Sequence, residues 1–223
     1  MRWMILLAVL LSPAAPASTE ANALCRWLGL CLYSSRGFEL TVVDAETGRP
    51  LSGVYAWAEW VQYGDHGRNG PLMIQDATSR EDGRLTFPAW GLRQGSRAGI
   101  DLGYDPALIL FKSGYRTLLV TNDVPIPGDE FASSRTFTKT AAAIQLQPFR
   151  GAAKEWVEQL EKLVFPGVMG RASTDQIVYF RSQYQRRANV ALAEINAVHS
   201  TTAAVTELKS SIEKTLEFLR SQR

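Results

Sequence analysis

At 223 residues, 46% of them hydrophobic and 21% charged, the chain has the composition of a folded globular protein and excludes wholesale disorder. Its formal net charge of +2 is too mild for the concentrated basic face that nucleic acid requires. The densest basic group, Arg181, Arg186 and Arg187, reads as the solvated face of a helix.

Residues 1–17 read as a secretory signal peptide. Arg2, the apolar run "WMILLAVLL" and the small-residue stretch "SPAAPAS" are its three regions, and cleavage is expected after Ala17, with Ala15 as the other small residue. The apolar run is far shorter than the roughly 20 residues that span a bilayer, and no later segment is long and apolar enough. An exported product is expected, periplasmic or secreted, with no membrane span. Residues 18–37 then form an N-terminal segment with the only cysteines, Cys25 and Cys31. In an oxidising compartment so close a pair favours a disulfide. A lipid-bearing Cys25 and free buried thiols are the alternatives. Leu24 and Asn22 stand where a lipoprotein signal wants a small residue and a leucine, which speaks against a lipid anchor. Two thiols and two histidines, His66 and His199, do not suggest a metal site.

Residues 38–150 carry the pattern of strands. "FELTVV" alternates apolar Phe38, Leu40 and Val42 with Glu39 and Thr41, the period of a half-buried strand. Turn residues Asp44, Gly48, Pro50 and Gly53 follow, and "VYAWAEWVQY" is a second strand. Its faces are Val54, Ala56, Ala58 and Trp60 on one side, and Tyr55, Trp57, Glu59, Val61 and Tyr63 on the other. "GDHGRNGP" reads as loop. "LMIQDATS", "RLTFP", "ALILFK", "YRTLLVTN" and "TAAAIQLQPF" read as further strands, with a long loop at "DVPIPGDEFASSRTF". About seven short strands separated by turns suggest a mainly β, antiparallel Greek-key sandwich. Residues 151–223 form a helical segment. Trp156, Leu160 and Leu163 share one helix face; Ser173 or Thr174 caps a second helix with Ile177, Tyr184, Ala191, Ile195 and Val198 in register. A third, from about Thr202, carries Val205, Leu208, Ile212, Leu216 and Leu219.

Three stretches, "VVDAETGRPLSGVYAW", "SREDGRLTFP" and "LFKSGYRTLL", resemble the transthyretin-like family of β-sandwiches, above all carboxypeptidase regulatory-like domains. That family runs a V-x-D strand into a G-x-P-x-x-G turn, sets a D-G turn before a short strand, and follows a core strand with G-Y. The resemblance covers roughly half the chain and implies a prealbumin-like sandwich.

Two enzyme groups share this sandwich type. Hydroxyisourate hydrolases are similar in "LTVVDAETGRPLSG" and "EDGRL", and the resemblance puts their arginine at Arg84. Their first-strand histidine falls on Thr41, and a hydroxyl there supplies no general base. Intradiol dioxygenases are similar in "ALILFK" and the following "GY". Their two iron-ligand histidines fall on Leu108 and Leu110, which have no lone pair for a metal. Asp65 and His66 are adjacent in a loop and poorly placed to hold a base against substrate. His199 lies near a helix end, where a positive charge suits the dipole. The residues therefore point to a non-enzymatic protein with no cofactor.

One feature exceeds a plain core. Tyr55, Trp57 and Tyr63 form an aromatic stripe that, if exposed, would take a protein or glycan partner. The C-terminal helices lying across it are the alternative. The expected function is an exported envelope or secreted protein whose sandwich and helices bind a protein or glycan partner. The other readings are a structural accessory subunit of a larger envelope assembly and a degenerate relative of the hydrolases or dioxygenases.

Overall fold

The computed structural model describes residues 28–64, 67–95, 106–122, 134–164, 172–198 and 202–222. Signal residues 1–17, Cys25, Asp65, His66 and His199 lie outside them. The protein is mainly β, with a C-terminal helical segment.

The strands are β1 (Cys31–Ser35), β2 (Phe38–Asp44), β3 (Tyr55–Gly64), β4 (Gly67–Thr78), β5 (Arg84–Phe87), β6 (Trp90–Gly95), β7 (Ala107–Phe111), β8 (Leu118–Val120), β9 (Ser134–Arg135) and β10 (Ala143–Leu146). The helices are α1 (Ala153–Val164), α2 (Thr174–Tyr179), α3 (Arg181–Ala197) and α4 (Ala203–Ser221).

Hydrogen bonding orders the strands as β6-β1-β9, β10-β2-β5 and β4-β3-β7-β8. Period-2 alternation then divides the core. Val54, just before β3, and Ala56, Ala58 and Trp60 of β3, with Leu108 and Leu110 of β7, pack against Leu40, Val42, Leu85 and Phe87 in the sandwich interior. The intervening residues Tyr55, Trp57, Ile109 and Phe111 face the other way, into a second core with α1, α3 and α4. A strand buried on both faces reads as an unbroken apolar run, which is why "ALILF" shows no alternation. The helices meet that second face with their apolar stripes: Leu160 and Leu163, Ala191 and Ile195, Ile212 and Leu216. Burying each larger aliphatic side chain there contributes roughly 1.5–3 kcal/mol before entropy is counted.

The turn motifs that carried the resemblance meet in space. Asp44 accepts hydrogen bonds from the Glu46 and Thr47 amides at 2.9 and 2.7 Å, and from the Tyr115 hydroxyl at 2.8 Å. The V-x-D turn and the G-Y turn, 71 residues apart, are thus joined by one carboxylate. Gly83 has φ +73°, and a Cβ on it would stand 2.4 Å from the Val42 carbonyl oxygen, so the D-G turn admits only glycine without rearrangement.

Four expectations differ from the structure. Ten strands are described rather than about seven. The sandwich is not wholly antiparallel, because β10 runs parallel to β2 and β9 parallel to β1. "GRNGP", read as loop, extends β4, accommodated by bulges opposite Trp60, Val61 and Tyr63. Cys31 and Tyr33, assigned to a segment before the sandwich, sit at 1% exposure in its main core, because β1 pairs with β6. In the helical segment Ser173 caps α2 as a capping box with Gln176. The chain then leaves helical geometry at Phe180 before α3 begins.

Candidate functional site

The second face of β3 is the most chemically varied part of the core. Trp57 is fully buried, and its indole N–H donates to Glu59 Oε2 at 3.2 Å. The Arg187 guanidinium lies 4.0 Å from the Trp57 ring centroid and 5.1 Å from that of Tyr184, and Trp57 and Tyr184 are themselves 5.3 Å apart. A cation over two aromatic faces gains from both ring quadrupoles. Burial pushes the Arg187 pKa down, and nearby Tyr184 and Glu59 oppose that shift. Burial likewise raises the Tyr184 phenol, with the Glu59 charge adding to it. Tyr55 is raised by burial and then by Asp76. At the rim, Arg186 forks onto both Asp76 oxygens at 2.5 and 2.6 Å, clamping α3 to β4. Asp76 is largely buried and Arg186 half exposed, so solvent screens one side of this pair.

This settles the place of the aromatic stripe. Of the two readings, an exposed platform or a stripe covered by the C-terminal helices, the second holds for Tyr55 and Trp57, which are covered at 7% and 0% exposure. They cannot stack on a free ligand without undocking α3. The side chain of Tyr63 lies outside the described residues. The arginine group is corrected too. Arg187 stacks inside the seam, Arg186 binds Asp76, and an Arg181 nitrogen donates to the Gln222 carbonyl, so the three do not form a solvated basic face.

The positions tested for enzyme chemistry fall in two places. Leu108 and Leu110 are at 0% exposure in the sandwich interior. Thr41 and Arg84 are direct neighbours across the β2–β5 ladder and line an open cavity of about 510 Å³ with Glu39. Arg84 stands 3.7 Å from the carboxylates of both Glu39 and Asp82, half exposed. Among the described residues no cluster of three or more acidic, histidine or cysteine side chains could hold a metal. No described cysteine is a free thiol. No helix there is long and apolar enough to cross a membrane.

An open groove that sequence reasoning missed lies on the sandwich edge. Arg93 and Gln94 of β6 form one wall, Leu72 of β4 the floor, and Asp175 and Tyr179 of α2 the other wall, around about 380 Å³. Tyr179 is 63% exposed, with the Arg93 guanidinium 5.2 Å from its ring centroid, and its neighbour Val178 is also exposed. Gln176 donates to the Pro71 carbonyl and so pins α2 to β4, and Gln62 of β3 donates to the same carbonyl. The signal was two successive apolar residues, Val178 and Tyr179, on the outer side of a short capped helix.

A β-sandwich with a helical layer seated on one sheet is the class of protein these features define. No protein-family model matches the chain, and no curated protein matches it. Among solved structures it is similar to a streptococcal ancillary pilin, at 16% identity and a TM-score of 0.31, over 54% of this chain and 31% of that one. It is similar to the pilus adhesin RrgA from Streptococcus pneumoniae, at 18% identity and TM-score 0.27, over 52% and 15%. A third is the group B streptococcus pilus 2b backbone protein, at 11% identity and TM-score 0.24, over 51% and 41%. The chain thus matches well under two-thirds of the length of each. Likenesses this slight carry no weight for what the chain does.

Proposed function

We propose that this chain is an exported, non-enzymatic binding protein of the cell envelope or secretome, and that its partner is a protein presenting an extended segment. The groove between β6 and α2 carries this reading. A strand beside a helix suits an extended peptide, since the strand edge offers main-chain hydrogen bonds and the cleft takes side chains. Among the described residues β6 pairs only with β1, leaving one edge as a template. Arg93 and Asp175 on opposite walls would set the direction of a polar segment, and Tyr179 supplies an exposed aromatic anchor of the kind that dominates interfaces.

Export rests on the leader-like residues 1–17, and a Cys25–Cys31 disulfide is its natural companion. The absence of catalysis rests on Leu108 and Leu110 filling core and on Thr41 standing beside Arg84. The seated helical layer also fits a structural accessory subunit, in which the same groove would be permanently filled. A photo-crosslinking residue at position 179, with the exposed position 119 of β8 as control, tests the groove in the producing cell. One dominant adduct specific to 179 and lost on Arg93→Glu is expected. The same adducts at both positions, or none at 179, would remove the groove from the account.

A further inference from the structure

The helical layer holds a third, separate cavity of about 440 Å³ between α1, α2, α3 and α4. Val164, Ile177, Phe218 and Leu219 give it apolar walls. Its charged lining residues, Arg187 and Lys214, are both cations, and no carboxylate is among the described lining residues. A mostly apolar cleft of this size with a few convergent polar groups has the form of a small-ligand site. Its base is rigid, because Arg187 is stacked over Trp57 and Tyr184 and cannot swing away without breaking both contacts. Burial disfavours the Arg187 charge, and Glu59 offsets it from the sandwich side. An anion arriving from the cavity side would stabilise the same charge from the opposite direction. Phe218 is 40% exposed at the cavity, an aromatic surface whose burial a ligand would complete.

We infer that this cavity binds a monomeric anionic amphiphile, a single-chain carboxylate whose head sits between Arg187 and Lys214 and whose apolar body lies along Val164, Ile177 and Phe218. Charge complementarity selects the head, and the apolar walls select the chain. The site does not depend on the β6–α2 groove, which shares no lining residue with it.

Calorimetric titration of the full mature chain with decanoate, decanol and decyltrimethylammonium, each below its micellar range, tests the inference. Decanoate should bind at a single site about tenfold or more tighter than decanol, with the cation weakest. Lys214→Glu, on an exposed position of α4, should weaken decanoate roughly fivefold or more and narrow its lead over the cation. Phe218→Ala should weaken decanoate and decanol by similar factors, since it removes wall rather than charge. Equal affinity for decanoate and decanol, indifference of decanoate to Lys214→Glu, or no binding of any of the three would overturn the site. So would tight association with phosphatidylglycerol vesicles that decanoate fails to compete, because the anion would then belong to a membrane surface. Crosslinking at position 179 is untouched by any of these results, so the two readings fail separately.

Discussion

Trp60 and Trp57 stand three residues apart on β3, both fully buried, on opposite faces. Trp60 meets Trp90 edge-on at 5.5 Å and Phe38 at 6.3 Å, among aliphatic neighbours. Trp57 meets a carboxylate, a guanidinium and a phenol. The interior of the sandwich is held by volume and shape, which many apolar residues can supply. The helix seam adds direction. A cation over a ring and a hydrogen bond to a carboxylate fix where α3 must sit, whereas an apolar stripe alone would let it slide. That charged contacts set the seating of a helix is a known use of buried polar groups.

The comparison breaks most severely if the seam is removed outright. A chain ending at Arg150 should expose Trp57, Ile109 and Phe111 as one apolar surface and be recovered in aggregates, as sedimentation would show. A soluble, folded product would mean that the helices are an accessory and not a wall of the core. Next in size is Glu59→Leu, which leaves Arg187 without its nearby counter-charge and should cost about 3–5 kcal/mol in urea unfolding. Adding Arg187→Met should recover part of that loss, and purely additive effects would show that the two charges are not coupled. A finer comparison sets Trp57→Phe against Trp60→Phe. Both lose volume, but only the first loses the Glu59 bond and part of the cation stacking, so it should be the more costly by about 1–2 kcal/mol. The smallest effect concerns pH. Hydrogen bonds from Thr47 and Tyr115 hold the Asp44 carboxyl below its ordinary value of 3.8. Its contribution to stability is therefore complete above about pH 4 and lost as pH falls through the lower folded-state value. Tyr115→Phe should bring the folded value closer to the ordinary one and flatten acid unfolding curves.

Most strand positions and their faces were legible because strands with one wet face alternate. "FELTVV" became β2 with the expected inward residues, and the two faces of β3 separated as its pattern predicts. The helix stripes were equally plain, and all five spaced residues of α4 are buried. What escaped was long-range pairing. Nothing in "AIQL" says that it will lie parallel to β2, and nothing in "CLYSS" says that it will find "WGLRQG". Glycine-rich strands such as β6 and the start of β4 look like loops because local propensity is weak there and the ladder decides. Arg187 was misread because its sequence neighbours are polar, while its environment is set by a strand 130 residues earlier. The groove was invisible since its walls come from β4, β6 and α2.

The parallel seat of β10 beside β2 has a consequence for how the chain reaches this structure. Contacts such as Glu39 to Thr140 close across 101 residues, and α1 begins seven residues after β10 ends. The sandwich therefore needs nearly all of its strand region before it can close, and the helices that cover β3 and β7 come later still in the chain. Folding of this topology is expected to be slow. During that interval the outer face of β3 and β7 stands bare, so this protein is most vulnerable to aggregation just before it is finished, and a holding chaperone would find its target at Trp57.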